Sequence, residues 1–163
     1  MSEHPKESLI ELPPDHPNLP IKPPFVFLWA IAIAVVVHVI RPVSVRPDRW
    51  GALGFVFMAL AAALASWAAL TLRRHETDVR PWKPTTAIVT TGPYALTRNP
   101  IYLAFALMQL GAGLWQDSLA LVLMVIPAVA ATNRWVIARE EAYLARKFGE
   151  LYERYLTEVR RWL

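Results

Sequence analysis

Apolar positions along the chain gather into long runs, and charge collects from Met1 to Lys22, in two central loops and from Arg134 to Leu163. The run Pro24 to Ile40 (PFVFLWAIAIAVVVHVI) makes a helix of about 25 Å with prolines at its start, enough to cross a bilayer. Trp50 to Leu72 carries no charge at all, and its Gly, Ala and Ser content suits close helix packing in lipid. Ile101 to Trp115 and Ser118 to Ala131 are separated only by Gln116 and Asp117, which predicts a tight helical hairpin that spans only if tilted or extended. Pro127 is expected to kink its second arm. The pattern predicts an all-α polytopic membrane protein of about four transmembrane helices, at 24–40, 50–72, 101–115 and 118–138, behind a tail over residues 1–23. Residues 24–163 are expected to form the membrane domain.

Beyond the hairpin the period changes. Leu144, Phe148, Leu151, Tyr155 and Trp162 recur near helical spacing with charges between them, the pattern of an amphipathic helix lying on a membrane surface. Gly149 is positioned to divide it. Glu140 and Glu141 stand where the last apolar run meets this helix, and spacing alone reads them equally as a solvated pair balanced by Arg139.

Composition agrees with the pattern: 55% hydrophobic and 18% charged residues, against about 25% charged in soluble domains. Of the 17 Lys and Arg residues, only Arg41, Arg46 and Arg49 fall opposite the side that holds the termini and the 73–100 loop. That asymmetry predicts cytoplasmic termini, with the start of the chain read as a cytoplasmic tail rather than a cleaved signal peptide. A basic cytoplasmic face also accounts for the net charge of +4 without a nucleic-acid partner. With no cysteine, disulfides, thiolate metal sites and thiol catalysis are excluded. The four histidines show no metal-ligand spacing, and there is no phosphate-cradling glycine loop.

One stretch departs from its surroundings. TTGPYALTRNPIYLAF, Thr90 to Phe105, sets Tyr94, Arg98, Asn99 and Tyr102 at the mouth of an apolar helix. The tyrosines read as interfacial belt residues and Arg98 as a snorkelling cation, or all three as one polar site.

In order and separation, this stretch, the hairpin and REEAYLARKFGELYERYLTEVRRWL resemble the isoprenylcysteine carboxyl methyltransferase and phospholipid methyltransferase family of integral membrane enzymes, from about Thr86 to Trp162. The resemblance implies an S-adenosylmethionine-dependent methyltransferase acting on a lipidic or hydrophobic acceptor, with the cofactor held by segments 86–102 and 140–162. It implies cofactor contacts from Thr86, Ala87, Ile88, Val89, Tyr94, Arg98, Asn99, Pro100, Ile101, Tyr102, Glu140 and Glu141. Asn99 stands where many members carry histidine, and Val136 where prenylcysteine-type members carry a substrate-binding arginine; Arg134 and Arg139 are the nearby substitutes. A carboxylate acceptor needs no deprotonation, and the lack of a histidine base near the motifs favours an oxygen or already neutral acceptor over an amine. Phospholipid amine methylation, an NADPH-dependent sterol-reductase-like activity and a non-catalytic membrane protein of the same fold are the alternatives.

Overall fold

The computed structural model describes residues 15–45 and 50–163. Met1 to Pro14 of the expected tail, and Arg46 and Arg49, lie outside the described residues. Among those described, all regular structure is helical.

Helix α1, Pro23–Ile40, opens with prolines in its first turn, where an amide hydrogen has no helical partner to lose. Helix α2, Trp50–Arg74, is 25 residues long, and α3, Pro100–Trp115, is 16 residues long with Pro100 as its first residue. Ser118 then accepts a hydrogen bond from the Leu121 amide and caps α4, Leu119–Leu123. Helix α5, Val125–Ala131, follows a break at Met124. That break lies beside the Leu123 carbonyl, which Pro127 cannot serve as a donor, so the helix is interrupted one turn before the proline expected to kink it. A π-helical turn, Thr132–Ile137, runs into α6, Ala138–Phe148. Gly149, at φ 53°, ends that helix in a conformation suited to glycine, and α7, Glu150–Glu158, completes the chain's helices.

Among the described residues, three helical stretches are long and apolar enough to cross a membrane: Pro23–Ile40, Trp50–Arg74 and the 30 residues Leu119–Phe148, beside the shorter Pro100–Trp115. In the last stretch the helix runs on past residue 138 to Phe148, and α7 follows it after Gly149. The chain stays helical through Arg139, Glu140 and Glu141.

Packing uses small residues. A Cβ added at Gly54 of α2 would lie 2.6 Å from the Gly111 carbonyl oxygen of α3, and one added at Gly111 would lie 2.7 Å from the Gly54 oxygen. The two backbones therefore touch, as expected where dispersion rather than the hydrophobic effect holds helices together. Helix α1 closes the other side: Phe27 meets Phe105 with ring centroids 5.6 Å apart, over Ala30, Ala106 and Ala128. A second cluster joins Val26, Tyr102, Val136 and Ile137, with Leu19 and Trp162 packed against it from the two ends of the chain.

Candidate functional site

Where α3 begins, the loop after α2, the Thr97–Pro100 turn, α6 and α7 surround a cavity of about 290 Å³. Its lining includes Ala87, Ile88, Val89, Tyr94, Arg98, Asn99, Pro100, Ile101, Tyr102, Glu140 and Glu141. Eleven of the twelve residues expected at a cofactor site thus share one cavity; Thr86 does not line it. The Thr86 hydroxyl instead donates to the Glu76 carbonyl at 2.9 Å and sits 3.0 Å from the Thr77 hydroxyl, pinching the loop beneath the site. Arg134 and Arg139 also lie off the lining and are exposed. Arg139 donates to the Asn18 carbonyl at 3.0 Å. Val136 is fully buried in the cluster beside Tyr102.

The two glutamates, adjacent in sequence, have different surroundings. Glu141 is paired on two sides: Arg98 approaches within 3.2 Å, and Arg161 reaches both carboxylate oxygens, its Nε at 3.0 Å. Glu140 accepts the Tyr102 hydroxyl at 2.6 Å, and no cation pairs with it among the described residues. One carboxylate is thus neutralised by arginines, while the other faces the cavity with a tyrosine hydroxyl as its hydrogen-bond partner.

Around that carboxyl stand aromatic rings. Tyr94, Tyr102, Tyr143, Tyr152 and Tyr155 all line the cavity. Burial lifts the hydroxyls of Tyr94, Tyr152 and Tyr155 well above the ordinary phenol range, so they remain protonated donors at neutral pH. The Tyr155 hydroxyl donates to the Tyr94 carbonyl at 2.6 Å, locking α7 onto the short 3-10 turn Gly92–Ala95. Asn99 is engaged in the same way: its side-chain amide donates to the Arg161 carbonyl at 2.8 Å, and its backbone amide to the Thr97 hydroxyl at 3.2 Å. The remaining lining is largely apolar, with Pro23 and Pro24 from α1, Ile101 and Phe105 from α3, and Val79, Pro81 and Trp82 from the loop. Arg80 lines it too, with its guanidinium held on Asp78 at 2.6 and 2.9 Å.

Two contributors escaped the sequence reading. The first is a strap formed by the last residues of the supposed tail. The Asp15 carboxylate accepts from Lys147 at 2.5 Å and from the Tyr143 hydroxyl at 3.0 Å, Pro17 lines the cavity, and Lys22 sits 5.1 Å from the Trp82 ring centre. A proline-rich segment of mixed charge carries no signal that distinguishes a strap from a free tail. The second is Arg161, whose only sequence signal is membership of a basic chain end.

Comparison with known proteins bears on the same residues. The model of the phospholipid methyltransferase family matches residues 50–151, from α2 through the cavity's two glutamates. An uncharacterised protein of Haemophilus influenzae is 44% identical over 63 residues, 39% of this chain and the whole of that protein. A cobalt-zinc-cadmium resistance protein of Cupriavidus metallidurans is 33% identical over 62% of this chain and 43% of its own length. A nickel-cobalt-cadmium resistance protein of Alcaligenes xylosoxydans xylosoxydans is 27% identical over 76% of this chain and 57% of its own. The chain thus spans about half the length of these two resistance proteins. No solved structure shows significant similarity. With well over half of its length matched, including most of the cavity lining, the chain belongs to the phospholipid methyltransferase family.

Proposed function

We propose that this protein is an S-adenosylmethionine-dependent methyltransferase that binds its cofactor in the cavity at Glu140 and methylates an apolar, membrane-borne acceptor on the cytoplasmic side. The observation that carries the reading is the Glu140 carboxylate, set among tyrosines with no cationic partner among the described residues. A buried carboxyl with no cation beside it favours its neutral form and gains its charge when a cationic ligand arrives, so the site suits such a ligand. The cofactor supplies an electrophilic methyl group on a sulfonium and carries a second cation at its amino group.

The chain's own residues suit such a ligand. Glu140 offers charge-assisted acceptance to an ammonium or ribose hydroxyl, and the tyrosine faces attract a desolvated cation. Arg98 is the lining cation nearest the glutamates, and the hydrogens of its fork not turned to Glu141 suit a carboxylate. Methyl displacement needs alignment and exclusion of water more than acid–base chemistry, and the apolar wall of Pro23, Pro24, Ile101, Phe105 and Trp82 provides a dry approach for the acceptor.

The acceptor's head group is read from the cations. Arg80 is paired with Asp78 and Arg98 with Glu141, Val136 lies in the core, and Arg134 and Arg139 lie off the cavity lining. An acceptor bearing a carboxylate would meet no unpaired cation among the described lining residues, so an uncharged nucleophile on an apolar body fits best. Prenylcysteine acids are therefore expected to be poor substrates relative to neutral lipidic acceptors.

Calorimetry with S-adenosylmethionine on detergent-solubilised protein tests the cofactor reading. Glu140→Gln keeps the shape and removes the charge, and should weaken binding by about 1.5–3 kcal/mol, roughly 10- to 150-fold. Wild-type protein that binds NADPH and not S-adenosylmethionine would end the methyltransferase reading.

A further inference from the structure

The last residues of the given sequence lie beyond the family match, which ends at residue 151, yet they hold residues that line the cavity. The Arg160 carbonyl accepts the Arg98 backbone amide at 3.0 Å. The Arg161 carbonyl accepts the Thr97 hydroxyl at 3.1 Å and the Asn99 side-chain amide at 2.8 Å. Trp162 packs against the cluster that contains Tyr102. Three successive tail residues thus hold the turn from Thr97 to Asn99 and the first turn of α3. In the other direction the Arg161 guanidinium spans Glu141 and the Asn133 side-chain oxygen, the latter at 3.0 Å. One residue therefore ties the turn before α3 to two helical turns of the last span.

We propose that Arg161 is a positioning residue for the ligand site: its fork saturates Glu141, its carbonyl fixes the Thr97–Asn99 turn, and together they leave Glu140 as the carboxylate available to a cationic ligand. The geometry explains why two adjacent glutamates do different work. Without Arg161, Glu141 retains only Arg98, at 3.2 Å; Arg98 is drawn fully onto it, and the cavity holds two carboxylates against one arginine. The tail whose backbone carbonyls hold the turn before Tyr102 loses its side-chain anchor on the last span at the same time. Lysine cannot replace this role, since an ammonium lacks the planar fork that reaches Glu141 and Asn133 together.

The functional half of this proposal rests on the S-adenosylmethionine reading, while the structural half does not. The test therefore has two readouts in the full-length protein: hydrogen exchange over residues 96–103 without ligand, and affinity for S-adenosylmethionine. Arg161→Ala should accelerate exchange at the Arg98 amide by about tenfold and weaken the cofactor by about tenfold or more. Arg161→Lys, the gentler change should the alanine variant not fold, should show both effects at smaller size. Arg154→Ala removes the same charge from exposed α7 and should show neither. Unchanged exchange and affinity in Arg161→Ala would overturn the proposal, as would losses of equal size in Arg154→Ala. Wild-type protein that fails to bind S-adenosylmethionine would sink the cofactor reading alone, and the exchange comparison would still decide whether the tail positions the turn.

Discussion

The contact between α2 and α3 and the cavity end of the molecule are assembled by opposite means. At Gly54 and Gly111 two backbones meet with no side chain between them. At the cavity, α3 is fixed by polar contacts with segments far away in sequence: Tyr102 to Glu140, Asn99 to the Arg161 carbonyl, and Tyr94 through its carbonyl to Tyr155. The first region depends on shape alone and belongs to the lipid-embedded scaffold. The second depends on hydrogen-bond and charge complementarity, which is what recognition of a polar cofactor requires. A small membrane enzyme can thus keep a tightly packed half that holds position and a polar half that binds, with α3 common to both.

Bulk at the glycine contact should produce the largest effect. In Gly54→Leu the new side chain meets the Gly111 carbonyl and the Trp115 backbone, with a Cβ 2.6 Å from each, and backbone atoms cannot step aside as a flexible side chain would. Overpacking of this kind costs about 3 kcal/mol or more, so the fraction recovered folded in detergent should fall sharply. The midpoint of unfolding in a denaturing detergent titration measures it. An unshifted midpoint would mean that the close approach contributes little to stability.

The same two regions differ in how far the sequence reveals them. The scaffold was legible because lipid imposes a local rule: long uncharged runs must be helices, so α1 and α2 came within one or two residues of their ends, and Pro100 and Gly149 mark boundaries for reasons of backbone chemistry. Part of the cavity was legible through a motif pattern, which brought 11 of 12 proposed residues to one place. What was lost depends on tertiary neighbours. Arg161 looks like any cation at a chain end until its fork meets Glu141, 20 residues earlier. Asp15 and Lys22 look like a solvated tail until Lys147 and Trp82 are opposite them. Glu140 and Glu141 looked like a solvated pair, yet tyrosine and arginine side chains supply their polar partners.

Tyr102→Phe sharpens the comparison at moderate size, because Tyr102 joins apolar packing to a polar bond within one side chain. Its ring packs with Val26, Val136 and Ile137, and its hydroxyl alone reaches Glu140. The phenylalanine variant should therefore keep its unfolding midpoint while binding S-adenosylmethionine about fivefold more weakly, near 1 kcal/mol, through loss of the bond that orients the carboxylate. Calorimetry and the detergent titration on the same preparation separate the two. Tighter binding would show that the hydroxyl competes with the ligand for Glu140 rather than orienting it.

The smallest effect is expected where the polar half reaches water, at the strap. Asp15 is largely exposed and its carboxylate meets Lys147, so the pair is screened and gains little from geometry. The hydrogen bond from Lys147, then that from Tyr143, holds the Asp15 carboxyl below its ordinary value of 3.8. A depressed acid of this kind contributes in full above that value and loses its contribution only as pH falls through the lowered one, so the strap should not respond to pH between 6 and 8. Salt is the useful variable. Asp15→Asn should raise amide exchange over residues 16–22 by about twofold at low ionic strength, and by nothing measurable at about 0.5 M salt, where the screening length is only a few ångströms. A salt-independent effect much larger than this would place the strap with the glycine contact, as a piece held by packing through Pro17 and Leu19 rather than by its charges.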